Sequence, residues 1–144
     1  MLWLLFAFGS AFFAGITAIL AKIGIQNVNS TLATAIRTIV VLFFSWLMVF
    51  VAGSQSELWA LSGHTLLFLV LSGLSTGASW LCYFRALQLG DVNKVAPIDK
   101  SSTVLTILLA FLFLGEPVSF PQIIGILGIG IGTLLMISKQ EVKK

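Results

Sequence analysis

From Val40 to Ala52 the chain runs thirteen residues without a charged side chain and without alternation of apolar and polar positions. A segment of that kind has no polar face to turn toward water, and Leu105–Leu114 repeats the pattern. Stretches of this character approach the length needed to cross ~30 Å of hydrocarbon, and they lack the polar stripe that a soluble amphipathic helix keeps. A membrane barrel needs alternating ~10-residue strands, so helices, which satisfy their own backbone in lipid, are the solution left. Composition agrees: 58% of the 144 residues are hydrophobic and 9% are charged, with mean hydropathy +1.09, whereas a soluble domain carries ~25% charged residues. The expected fold class is all-α, a polytopic bundle of five transmembrane helices.

Several function classes fall away on the same reading. The net charge is +3, but the basic residues are scattered and three sit in the C-terminal tail, with no basic stripe and no aromatic platform to engage nucleic acid. Cys82 is a single cysteine, so no intramolecular disulfide forms, and no Cys/His cluster marks a metal site. No phosphate-binding glycine loop and no catalytic triad is present, so no enzyme activity and no cofactor are expected. The first apolar stretch lacks a basic leader and a small-residue cleavage pattern, and reads as a retained helix.

The expected spans are residues 2–22, 31–52, 64–87, 92 or 97 to 114, and 120–137, within one transmembrane domain of residues 1–138 followed by a charged cytoplasmic tail, 139–144. The polar turn Gln26, Asn27, Asn29, Ser30 separates the first two spans, with Thr31 expected to cap the second. Gly90-Asp91 ends the third, and Pro97 is the favoured start of the fourth because proline suits a helix's first turn. Gly115-Glu116-Pro117 makes a tight outer turn. Lys22, Arg37, Arg85, Lys94, Lys100, Lys139, Lys143 and Lys144 all fall on or near one side, and none on the other. The positive-inside rule then puts the N-terminus outside and the C-terminus in the cytoplasm, in a cytoplasmic (inner) membrane.

The polar residues within the spans are the candidate cavity. Arg37 lies about 9 Å into the second span if that begins at Thr31, where a cation costs roughly 2.5–3.5 kcal/mol. It either faces an aqueous cavity, binding an anionic group or pairing with Asp99, or snorkels to the headgroups. Ser72, Thr76, Ser79 and Tyr83 recur at i, i+4, i+7, i+11 on one face of the third span; that face meets either a substrate cavity, with Trp80 as a stacking wall, or a neighbouring helix through its hydroxyls. Asp99 sits in the first turn if the fourth span starts at Pro97, where it complements the helix dipole. If the span starts at Val92, it lies about 10 Å deep as a candidate proton-coupling carboxylate. Ser102 and Thr106 continue a polar path. Gly125, Gly128 and Gly132 form a smooth face suited to helix packing, within the bundle or between subunits. Lys22 reads as an interface marker, His64 as a loop residue and Cys82 as a packing residue.

Six segments, in order, carry a family likeness: Ala21-Lys22-Ile23-Gly24, Ala33-Thr34-Ala35-Ile36-Arg37, Ala86-Leu87-Gln88-Leu89-Gly90, Ala96-Pro97-Ile98, Phe113-Leu114-Gly115-Glu116-Pro117-Val118-Ser119, and the Gly125, Gly128, Gly132 run. Together they resemble the EamA-type drug/metabolite transporters, over essentially the whole chain. Most such relatives have ten helices in two oppositely oriented halves, so the resemblance implies one half of that fold, as in a short five-helix bacterial and archaeal branch. It also implies a secondary transporter of a small metabolite or drug-like solute, with Lys22 at a cavity rim and the fourth and fifth helices joining halves. A lone half needs a partner for alternating access: a homodimer or an oppositely oriented second five-helix protein. The one-sided charge disfavours a dual-topology antiparallel homodimer. The alternative is a non-transporting membrane subunit assembled with a larger membrane protein.

Overall fold

A computed structural model describes residues 1–138; the charged tail assigned to the cytoplasm, 139–144, lies outside the described residues. Five helical segments are long and apolar enough to cross a membrane: Leu2–Gly24, Ser30–Ala52, Gly63–Leu89, Val92–Leu114 and Phe120–Ser138. At ~1.5 Å per residue these run from about 28 to about 40 Å, enough to traverse a bilayer with or without tilt. No strand occurs among the described residues, and the chain is an all-α polytopic membrane protein. Two compact units are present, Met1–Leu89 and the residues from Gly90 onward.

The first unit holds α1 (Leu2–Gly24), α2 (Ser30–Ala52), a 3-10 turn (Ser54–Ala60) and α3 (Gly63–Leu89). The cap of α2 is Asn29, not Thr31 as the sequence suggests. Asn29 takes an extended conformation (φ −59°, ψ 127°) and its Oδ1 accepts from the Thr31 and Leu32 N–H groups at 2.9 and 3.4 Å; asparagine is among the strongest N-caps, so Ser30 and Thr31 are left to the first turn. Gly53 ends α2 at φ +70°, a left-handed conformation that costs a residue with a Cβ. The buried residues gather at one end, where α1 finishes, α2 begins and α3 finishes: Ala18, Ala21, Ile25, Ser30, Thr34, Phe84 and Leu87. Small side chains on α1 and α2 permit close approach there, while most other positions of the three helices are exposed.

In the second unit the fourth span is interrupted. α4 (Val92–Lys100) begins directly after Asp91, whose carbonyl accepts from Lys94 and Val95 N–H at 3.0 Å each. Pro97 is therefore interior, and not the first-turn residue that its helix-starting preference suggests. Lacking an N–H, it deprives Asn93 of its partner and crowds that carbonyl. The break follows at Ser101, whose N–H is shared by the Pro97 and Ile98 carbonyls (3.0 and 3.1 Å) and whose Oγ donates to Ile98 O at 2.6 Å. The helix resumes as α5 (Ser102–Leu109) and closes in a π turn (Ala110–Leu114) ended by Gly115 at φ +67°. α6 (Phe120–Ser138) packs along both pieces, with Thr133 Oγ1 donating to the Pro97 carbonyl at 3.4 Å.

Candidate functional site

The closed end of the first unit is tied by side chains that donate to backbone. Lys22 Nζ donates to the Leu87 carbonyl at 2.6 Å, occupying an acceptor at the α3 C-terminus that the helix itself leaves open. Gln88 Nε2 donates to the Val28 carbonyl at 2.8 Å, and Gln88 Oε1 accepts from Arg85 Nη1 at 2.8 Å. The turn between α1 and α2 is thus fastened to the last turn of α3. Lys22 is more than an interface marker, since its ammonium holds two elements together.

Above this floor lies Arg37. Counted from Ser30 it is about 10 Å along α2, and Trp80 is about 13 Å back from the end of α3. The two helices run antiparallel from the closed end, so these residues meet. The Arg37 Cζ lies 3.5 Å from the Trp80 ring centroid and 5.8 Å from that of Phe84. At 3.5 Å the guanidinium is stacked on the indole, an attraction of about 0.5–2 kcal/mol depending on desolvation. Trp80 is held in turn by Tyr83, edge-on at 5.7 Å, and Phe84, at 5.8 Å, the latter only 2% exposed.

Of the expected polar stripe on α3, the structure brings Tyr83 into this cluster with Trp80. Ser72, Thr76 and Ser79 continue from it toward the open end and are exposed, with Thr76 Oγ1 donating to the Ser72 carbonyl at 2.9 Å. In the second unit Asp99 lies about 10 Å along α4, half-buried, with Oδ2 3.5 Å from Lys100 Nζ. It is well beyond the first turn, and complementing the helix dipole is not its role. Ser102 and Thr106 are exposed, and Thr106 Oγ1 donates to the Ser102 carbonyl at 3.0 Å. The cleft in this unit, about 470 Å³ between α4 and α6, is lined instead by Asn93, Pro97, Lys100, Gly132, Thr133 and Met136, among others. Gly125 and Gly128 stand on an open surface of α6, where an added Cβ meets nothing within 4 Å. Among the described residues no group of three His, Cys, Asp or Glu side chains is gathered as metal ligands.

An arginine about 10 Å along an apolar helix is stacked on an aromatic wall, in a chain with five membrane-length helices. The family model of the EamA-like transporters matches residues 1–138. The chain belongs to the EamA-like transporter family. An uncharacterized transporter from the cobO 3′ region of a Sinorhizobium species is 46% identical over 134 residues, covering 93% of this chain and 95% of that protein. An uncharacterized protein of Methanocaldococcus jannaschii is 32% identical over 71 residues, 49% of this chain and 52% of its own length. No solved structure matches significantly. Membership makes this a multi-pass protein of a transporter family, in contact with lipid. Within this EamA-like chain, Phe84 joins the Arg37–Trp80 cluster although the expected cavity set does not include it, while Leu87 and Gln88, named in the sequence only within the Ala86–Gly90 family segment, form the fastened end. The signal available was helical spacing: Phe84 and Leu87 fall one and two turns beyond Trp80, on its face.

Proposed function

We propose that the chain is a secondary transporter that moves a small metabolite or drug-like solute across the cytoplasmic membrane by alternating access. The observation that carries the reading is the Arg37–Trp80 stack. It keeps a cation well inside an apolar helix, at an energetic cost only partly offset by the indole, and beside the polar face of α3 that opens away from the fastened end. Intramembrane cations of this kind typically face a cavity or a substrate path. Asp99, Ser102 and Thr106 supply a second set of polar groups along the fourth span, with Asp99 as the proton-coupling carboxylate. The N-terminus is outside and the C-terminus cytoplasmic, following the one-sided distribution of lysine and arginine. Reconstituted alone into liposomes, the protein should accumulate solute in response to an imposed proton gradient; inert liposomes that become active only with a second membrane protein would make it a subunit instead.

In this reading transport is carried by two five-helix bodies, a homodimer or a pair with an oppositely oriented partner, and the glycine face of α6 joins them. Gly128→Leu tests the joint. An added Cβ at this position meets nothing within 4 Å, and the loss of a helix-interior glycine favours the helix by roughly 0.5–1 kcal/mol. We therefore expect a monomer at least as stable as wild type, together with loss of the crosslinked dimer formed through cysteines placed on α6. A dimer band of unchanged intensity would remove this face from the interface.

A further inference from the structure

All three lysine and arginine side chains of the first unit, Lys22, Arg37 and Arg85, belong to its fastened half, and two of them are occupied. Lys22 donates to Leu87 and Arg85 to Gln88. The carboxylate side chain that residues 1–89 contain, Glu57, lies beyond the far end of α2, separated from Arg37 by more than about 20 Å of helix. The Arg37 guanidinium is engaged through its face, by Trp80 and more distantly by Phe84. Its in-plane N–H groups have no acceptor among the described residues. No side-chain nitrogen or oxygen there is both enclosed and unpaired, so within residues 1–89 this edge is not sealed in.

A guanidinium stacked by its face and open at its edge presents parallel N–H donors at the spacing of two oxygens of a carboxylate or phosphate group. The Thr34 and Thr38 hydroxyls spend their protons on their own helix, at the Ser30 and Thr34 carbonyls, and accept nothing from Arg37. We infer that the outward edge of Arg37 is a binding site for one oxyanion, and that the solute carried by this protein bears such a group. The inference rests on the transporter reading only for the solute's passage; the site itself stands on the geometry of Arg37. Lysine cannot reproduce it, because an ammonium has no face to stack while its donors point elsewhere.

The test uses the full chain in nanodiscs of phosphatidylcholine, with Trp3, Trp46 and Trp59 changed to phenylalanine so that Trp80 is the single indole fluorophore. Benzoate and inorganic phosphate are titrated at constant ionic strength against chloride. A saturable change with either anion, weakened about 10- to 100-fold in Arg37→Lys and abolished in Arg37→Gln, is the expected result. If the soluble anions act only in neutral discs, and phosphatidylglycerol discs show the Arg37-dependent change without solute, a lipid headgroup can fill the same oxyanion site. No response to any of these, a response retained in Arg37→Gln, or one appearing only after Asp99→Asn would overturn the site; the last would mean that Asp99 holds the guanidinium. Liposome transport without Arg37-dependent binding rejects the anion site and leaves the transporter reading intact, whereas binding without transport does the reverse.

Discussion

Leu87→Ala should destabilise the protein by about 2–3 kcal/mol, the most damaging single leucine truncation in residues 1–89. Leu87 is 0% exposed, sits where all three helices of its unit converge, and carries the carbonyl to which Lys22 donates. Buried leucine-to-alanine changes in soluble cores cost about 2–5 kcal/mol. In a bilayer the released surface meets lipid and not water, so the hydrophobic transfer part shrinks and the cavity and lost packing remain; the low end of that range is the expectation. Leu20→Ala on α1, where the side chain is 62% exposed, should cost less than about 0.5 kcal/mol. Unfolding titrations with dodecyl sulfate in mixed micelles measure both, and equal losses for the two variants would mean that the convergence of helices at Leu87 is not the core of this unit.

The contrast between those two leucines shows what could be read from residues alone. The span count was legible because lipid imposes a simple rule: an apolar run of sufficient length with its charges expelled to the ends. Leu20 and Leu87 are equivalent under that rule, and which one is buried depends on helix rotation, which hydropathy does not encode when every face is apolar. Arg37 was legible as an anomaly for the same reason, being a cation where lipid forbids one. Its partner was not, because Trp80 is one of many aromatic residues and only its position beside the hydroxyl stripe distinguishes it. Val92 and Pro97 compete as the start of the fourth span because two signals conflict. Proline favours a first turn, but the extended Asp91 ahead of Val92 already accepts the first helical N–H groups, and a helix once started tolerates the proline at the expense of a break at Ser101. Likewise Thr31 is the cap that the sequence suggests, and the role falls to Asn29, which reaches two N–H groups from an extended backbone.

That earlier helix start governs the outcome expected for Asp99→Asn, which is loss of proton-driven uptake down to the level of empty liposomes. With α4 beginning at Val92, Asp99 lies about 10 Å along it, at a depth where an acid is retained at a cost that only a function or a partner justifies. Its neighbour Lys100, 3.5 Å away and mostly exposed, gives a weak pairing, so the carboxylate is not consumed by a structural ion pair. Asparagine keeps the size and the hydrogen-bonding capacity and removes the exchangeable proton, which separates coupling from folding. Exchange of internal for external labelled solute, with no gradient imposed, should persist in the variant, because in the proposed mechanism neither solute binding at Arg37 nor the rocking of helices requires a proton to move. Both activities lost together would point to a damaged fold, checked by the unfolding titration; gradient-driven uptake surviving intact would move the coupling site elsewhere. The α4 break lends the prediction its mechanical half. Pro97 leaves Asn93 without a helical donor and Ser101 divides its N–H between two carbonyls, so the helical ladder is interrupted around Asp99, and this is the turn through which a change of charge there is expected to act.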